Sequence, residues 1–189
     1  MGAGLESDIG KISSHLLKKQ KDFDEVMDLS RRVVRGAGQA ITMLHNGRGT
    51  GARDAIDALK PLISGLKTHD RMFRYASLQA YQEYAEAELL YHIIREGAIP
   101  SAKGVGVDEE AYLLGLMDVV GELKREVLER LREGDTKSAE RYYETMREVY
   151  DTTRGLRFAE SVLPGFRRKQ DVAHIQLESA SGELLHASH

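Results

Sequence analysis

The most informative stretch of this chain is YLLGLMDVVGEL, residues 112–123. From residue 112 to residue 121 every position is apolar or glycine except Asp118. Apolar side chains occupy nearly every side of the helix that this spacing predicts, and such a helix is usually buried. The main apolar stripe contains Leu113, Leu116, Val120, Leu123 and Val127, with Asp118 roughly opposite and flanked by Leu114 and Met117. The stretch therefore predicts a buried helix that carries an acid.

A lone buried carboxylate is costly unless it is paired or binds a metal. Glu122 follows Asp118 by four residues, so the two acids share one face of the helix and repel each other. A cation between them would remove that repulsion. Gly115 lies near the same face and leaves room for another backbone or for a substrate.

A second pair of acids occurs in QAYQEYAEAELL, residues 79–90. Glu83 and Glu86 are three residues apart among small and aromatic neighbours, which again indicates burial. Two buried helices with two acids each suit a cage of four carboxylates, and oxygen ligands favour Mg²⁺ or Mn²⁺ over zinc. Such ions can activate water and hold the oxygens of a phosphodiester. Pairing of these acids with Arg or Lys, from other helices or at a subunit contact, is the alternative.

Helical periodicity recurs through the rest of the chain, with no convincing strand pattern. Pro61 predicts a kink or an early break. We expect an all-α, single-domain antiparallel bundle of six or seven helices, with residues 1–10 as a flexible N-terminus and residues 11–189 as the helical domain. The predicted helices cover about residues 11–45, 52–66, 68–95, 108–132, 136–153 and 166–186.

Composition is ordinary for a globular chain, with 41% apolar and 30% charged residues. The absence of cysteine excludes disulfides and thiolate metal sites. No apolar run reaches membrane-spanning length and no signal peptide is visible in residues 1–10, so we expect a cytoplasmic protein without membrane contact.

Charge is unevenly distributed. The net charge is −3, but residues 31–74 carry +6, which allows a basic surface on an acidic protein. Phosphate binding is one use of these side chains, and solvated helix faces or a salt-bridged subunit interface are others. The candidate RNA-binding residues are Arg31, Arg32, Arg35, Lys67, Arg71 and Arg74, of which the last three would share one face of a straight helix.

Two further groups are interpreted as structural. Residues 167–169 (RRK) follow the Pro164–Gly165 break and are assigned to an oligomer contact or a solvated helix start. The seven histidines form no ligand pattern, and His92 is interpreted as structural.

Two motifs resemble the translin/Trax family. QEYAEA, residues 82–87, is similar to the QEYVEA segment of Trax, the catalytic subunit of the translin–Trax nuclease. YLLGLMDVVGELKR, residues 112–125, resembles the family's YLLGVADLTGELMR. LSRRVVRGAGQAITMLH, residues 29–45, also resembles the first long Trax helix, and order and spacing agree from about residue 23 to residue 185.

The resemblance implies a translin-like fold that assembles into closed, hollow oligomers, eight subunits in known members, with RNA inside. It implies a Trax-like, Mg²⁺-dependent endoribonuclease whose metal-binding and catalytic residues are Glu83, Glu86, Asp118 and Glu122. Single- or double-stranded RNA is the expected partner. Because only about twelve residues separate the motif helices and the N-terminal extension is short, we expect a homo-oligomer rather than a translin partner.

Two other functions stay open on sequence grounds. One is an all-α nucleoside-triphosphate pyrophosphatase, which would also use paired helix carboxylates and Mg²⁺. The other is a non-catalytic RNA-binding oligomer resembling translin, because intact acids do not prove turnover.

Overall fold

The computed structural model describes residues 2–187, with side chains from residue 4 onwards. Within that range the chain forms helices and no strand. Seven helices are longer than one turn, which confirms the predicted all-α bundle, and the eighth, α5, is a single turn. The helices are α1 Gly2–His45, α2 Gly49–Asp57, α3 Lys60–Lys67, α4 Asp70–Glu96, α5 Ala102–Val105, α6 Glu109–Arg132, α7 Thr136–Thr153 and α8 Phe166–Ala187.

The first two predicted helices differ from the structure, the first in where it starts and the second in its continuity. α1 begins at Gly2, and residues 4–21 of it are exposed, so flexibility of residues 1–10 stays a prediction. The predicted helix over residues 52–66 is two helices, broken ahead of Pro61. Proline fits the first turn of α3, where its missing N–H leaves no hydrogen bond unmade. Met1, Ser188 and His189 lie outside the described residues.

α4 is bent near its start. Phe73 has φ −129° and ψ 26°, which is not helical, so the helix predicted over about residues 68–95 is present as Asp70–Glu96 and is not straight in its first turn. Downstream of Phe73 the helix is regular and carries both Glu83 and Glu86.

Packing places α4 against α1 on one side and α6 on the other. α6 also contacts α7 and α8, so it is covered on most of its surface. Leu114, Met117 and Val119 are buried, as is the main apolar stripe except for the partly buried Leu113, which confirms the predicted burial of this helix. No helix in residues 2–187 is both long and apolar enough to cross a membrane.

Candidate carboxylate site

The two acidic pairs meet where α4 and α6 approach most closely. Gly115 permits that approach, because a Cβ there would lie 2.8 Å from the carbonyl oxygen of Gln82 and 3.0 Å from the backbone nitrogen of Glu86. Real Cβ atoms essentially never come within 3.0 Å of such atoms. The predicted role of Gly115, close approach of another backbone, is therefore confirmed.

Asp118 is held by two side chains from neighbouring helices. The Nζ of Lys169, on α8, donates to its Oδ1, and the Nε2 of Gln82 donates to its Oδ2 over 2.6 Å. About a quarter of the Asp118 side chain remains exposed (24%). This acid is thus oriented from both sides while one edge stays open.

Glu122 is held from α1. The Nε2 of His45 lies 2.5 Å from Glu122 Oε2, and its Nδ1 lies 2.5 Å from Glu126 Oε1, both within hydrogen-bond distance. Burial lowers the pKa of His45, but the two carboxylate hydrogen bonds outweigh that effect and hold its pKa above the ordinary value. The same hydrogen bond from His45 lowers the pKa of Glu122. Both ring nitrogens of His45 therefore face carboxylate oxygens, an arrangement that favours the charged imidazolium form.

Glu86 has no such partner. Its exposed fraction is 7%, and its side chain forms no hydrogen bond or ion pair with any residue in the described part of the chain. Burial, followed by repulsion from Asp118 and Glu83, raises its pKa to about 9. Glu83 is less buried, and burial and Asp118 also raise its pKa, although a hydrogen bond with Gln79 opposes that shift. The four predicted acids are therefore close enough to alter one another's ionisation.

Among residues 2–187, no group of three His, Cys, Asp or Glu side chains has the geometry of a formed metal site. Asp118 and Glu122 are instead paired with basic residues of other helices, which is the alternative that the sequence left open for these acids. Glu83 and Glu86 have no basic partner within hydrogen-bond distance among the described residues. Two acids are neutralised locally, and two are not.

A basic cleft lies next to the acids, between α1 and α4. Its volume is about 380 Å³, and Arg31, Arg35 and Gln79 are among its lining residues. Gln79 connects the cleft to the acids because it hydrogen-bonds Glu83. Arg31, Arg32 and Arg35 are all exposed, and Arg32 lies 3.6 Å from Asp28.

Lys67, Arg71 and Arg74 do not share one helical face. Lys67 belongs to α3 and donates to the carbonyl oxygen of Gly106 over 2.9 Å. Arg74 pairs with Asp108, the N-cap of α6, and its guanidinium lies 4.6 Å from the Tyr81 ring centroid. Arg71 precedes the bend at Phe73 and is exposed. The expected common face is wrong because the helix is interrupted, while RNA binding by these residues stays a prediction.

Sequence reasoning missed three residues of the site. Lys169 was assigned with residues 167–168 to a helix start or oligomer contact, yet it contacts Asp118 across 51 positions of sequence. His45 belongs to no metal-ligand pattern in the sequence, and Gln82 appears there only as the first residue of the QEYAEA motif. A tertiary contact of this kind leaves no periodic signal, although His45 and Gln82 lie within segments that match the family and could have drawn attention for that reason.

The fold and the site place this chain in a class of all-α proteins. In this class, two buried helices pack against each other at a glycine, and each carries two acids. The profile of the Translin family matches residues 23–179, and the chain belongs to that family.

Solved structures of the family are similar over nearly the whole chain. AfC3PO in complex with duplex RNA has a TM-score of 0.89 and 26% identity, covering 96% of each chain. AfC3PO alone has a TM-score of 0.88 and 26% identity, covering 96% of this chain and 97% of that one. An uncharacterised protein of Methanocaldococcus jannaschii is 29% identical over 184 residues, 94% of this chain and 82% of its own length.

Proposed function

We propose that this protein is a Trax-type, divalent-metal-dependent endoribonuclease that acts inside a homo-oligomer. The observation that carries the proposal is Glu86, a buried carboxyl group with no basic side chain of the described residues within hydrogen-bond distance, placed beside three further acids. Natural proteins rarely bury an acid without compensation, because desolvation of the charge is costly. A divalent cation shared with the neighbouring acids would supply that compensation.

The donor set fits Mg²⁺ or Mn²⁺. Glu83, Glu86, Asp118 and Glu122 offer only oxygen ligands, which hard cations prefer, and the partial exposure of Asp118 leaves one side open to a substrate. A divalent ion bound there would polarise water and neutralise charge that develops on a phosphodiester.

The protein's own side chains would position these acids. Gln82 and Lys169 fix both oxygens of Asp118, and His45 fixes Glu122 from the opposite side. The carboxyl group of Glu86 holds a proton at neutral pH while no cation is bound. It must release that proton to become a ligand, so cation binding should be accompanied by proton release.

RNA and assembly follow from the family and the surface. A relative, AfC3PO, has been solved with duplex RNA, and the cleft lined by Arg31 and Arg35 is linked to the acids through Gln79, which hydrogen-bonds Glu83. Exposed Leu5, Ile9, Ile12 and Leu16 lie along α1 at alternating spacings of four and three, the pattern of a helix that pairs with another helix. Closed homo-oligomers, octamers by resemblance, should therefore dominate in light scattering. A monomer throughout the micromolar range would remove the enclosed-cavity arrangement.

A second function, RNA binding without cleavage, is favoured by one observation. Asp118 and Glu122 are already neutralised by Lys169 and His45, so a permanent ion-pair network would account for half of the cluster. Glu86 is the residue that this function leaves unexplained.

Cleavage of labelled RNA by the wild type, Glu86→Gln and Asp118→Asn, with Mg²⁺ and with EDTA, separates these functions. We expect metal-dependent cleavage in the wild type and loss of cleavage with retained RNA binding in both variants. Glu129→Gln, a partly exposed acid on the same helix as Asp118, is the matched control and should keep full activity. Full activity in both site variants would overturn the metal-site assignment.

Two outcomes of the same assay would favour other functions. An inactive wild type that still binds RNA would favour the non-catalytic oligomer. Turnover of a nucleoside triphosphate without turnover of RNA would favour the pyrophosphatase.

A further inference from the structure

We infer that the Lys169 ammonium is a resident counter-ion of the carboxylate site, which stands in for the divalent cation and is displaced when that cation binds. This inference rests on the proposed function. It assigns a role to a residue that lies 51 positions after Asp118 in sequence and belongs to a different helix.

Its position supports the assignment. Lys169 Nζ donates directly to Asp118 Oδ1, and its charge also acts on Glu83 and Glu86, where it opposes the pKa-raising effects of burial and of the other acids. A single positive charge thus influences three of the four acids. That is the region in which a shared cation would have to lie.

One ammonium is an incomplete substitute. It contacts only Asp118, and the carboxyl of Glu86 remains without a hydrogen-bond partner among residues 2–187. A divalent ion carries twice the charge and accepts several oxygen ligands at once. The Lys169 charge therefore offsets part of the repulsion among the acids when no metal is bound, and the remaining acids can still bind a divalent ion.

Displacement needs space for the side chain, and the structure provides it. A cavity of about 170 Å³ lies beside Asp118 on the α8 side, and the Lys169 side chain is part of its lining. Lysine has a flexible four-carbon stem, so its ammonium can move while its backbone stays fixed. The cavity is lined by Met117, Asp118, Arg168, Lys169, Val172 and Gln176.

If the Lys169 ammonium competes with the metal, removal of its charge should raise the affinity for the metal, whereas a purely structural role of Lys169 would not give this increase. Lys169→Met keeps the length of the side chain and removes its charge, so Mn²⁺ should bind about tenfold more tightly or better, since nothing positive has to leave. Affinity is measured from the electron paramagnetic resonance signal of free Mn²⁺, which needs no activity. Lys169→Arg keeps the charge and should stay within about threefold of the wild type.

Arg168→Met is the matched control, because Arg168 is exposed and lines the same cavity, but it forms no hydrogen bond or ion pair with Asp118. Screening should keep its effect on Mn²⁺ affinity below about threefold. Affinity of Lys169→Met that equals or falls below the wild-type value overturns the inference, and so does an equal gain in Arg168→Met.

A second measurement uses the wild type alone. Amine acylation followed by mass spectrometry should show Lys169 becoming more reactive when Mn²⁺ is added, while exposed Lys137 does not change. Unchanged reactivity of Lys169 at saturating Mn²⁺ would contradict displacement. If neither the wild type nor Lys169→Met binds Mn²⁺, the metal-dependent function falls together with this inference.

Discussion

The proposed function requires Glu86 to be ionised when it binds a metal, whereas its buried position favours the protonated form. Its raised pKa, about 9, means that folding favours the protonated form of this carboxyl. A group of this kind contributes stability that is present below its unfolded pKa, near 4.5, and is lost as the pH rises toward 9. The metal-free protein should therefore lose stability between these two values.

Glu86→Gln removes that titration and should stabilise the metal-free protein at neutral and alkaline pH. The expected gain in free energy of unfolding is on the order of 1–3 kcal/mol near pH 8, and it should shrink toward pH 5. Urea unfolding in EDTA at both pH values measures it. A variant that is less stable than the wild type near pH 8 would mean that Glu86 has a stabilising partner in solution.

His45 should stabilise the fold within a defined pH window. Removal of its ring by His45→Ala leaves Glu126, which is 4% exposed, without its imidazolium partner. We expect a loss of about 2–4 kcal/mol near pH 6 in the free energy of unfolding.

The window follows from the two pKa shifts. The raised pKa of His45 gives stability that is present below 6.5 and lost as the pH rises through its folded pKa. The lowered pKa of Glu122 gives stability that is present above 4.5 and lost as the pH falls. Unfolding of His45→Ala and of the double variant His45→Ala/Glu126→Gln, followed across this range, should show partial recovery in the double variant. Simple addition of the two losses would argue against the pairing.

At the scale of elements, the contact of α4 with α6 depends on one missing methyl group. Gly115→Ala would place a Cβ 2.8 Å from the Gln82 carbonyl oxygen and 2.9 Å from the Ala85 Cβ, so the two helices must separate. We expect a loss of about 1–3 kcal/mol in the free energy of unfolding, despite the better helix propensity of alanine.

Gly38→Ala is the control for that substitution. Gly38 also lies within a helix, α1, but nothing is found within 4 Å of its virtual Cβ. It should stabilise the protein by about 0.5–1 kcal/mol through propensity alone. Equal thermal shifts for both variants would contradict the close helix contact.

What the sequence could predict follows from local periodicity. The run around Asp118 is apolar on all sides, and this correctly predicted burial of α6 between other helices. The small neighbours of Glu86 correctly predicted its burial. The break ahead of Pro61 follows from proline stereochemistry.

The remaining features depend on contacts between distant segments. The partner of Asp118 is on α8 and that of Glu122 is on α1, so neither is encoded by spacing within a motif. The bend at Phe73 has no proline or glycine to mark it in the sequence. These contacts decide which of the four acids already have a basic partner. Because local spacing does not show them, the sequence predicted four equivalent ligands.

At the scale of the whole molecule, the basic segment over residues 31–74 offers fewer unpaired cations than its net charge suggests. Several of its cations are used within the subunit: Arg53 forms two hydrogen bonds with Glu88, Lys60 lies 2.6 Å from Asp57, and Arg74 pairs with Asp108. Arg31 and Arg35 are exposed and form no ion pair with another residue in the described range. The charge available to an RNA phosphate is therefore concentrated beside the cleft between α1 and α4.

RNA affinity should respond to salt and to these two arginines together. Each phosphate contact releases counterions, so the logarithm of the binding constant should fall with the logarithm of salt by about 0.9 for each contact with duplex RNA, taking the duplex DNA value. Arg31→Gln/Arg35→Gln should reduce that slope by about two for each subunit that contacts the RNA. Arg132→Gln/Arg147→Gln removes the same charge from exposed positions on α6 and α7 and should leave the slope unchanged. Fluorescence anisotropy with a labelled duplex at several salt concentrations, in EDTA to prevent cleavage, measures both. Equal slopes for the cleft variant and the wild type would move the RNA path away from Arg31 and Arg35, leaving exposed Arg71 as the next candidate from the basic segment.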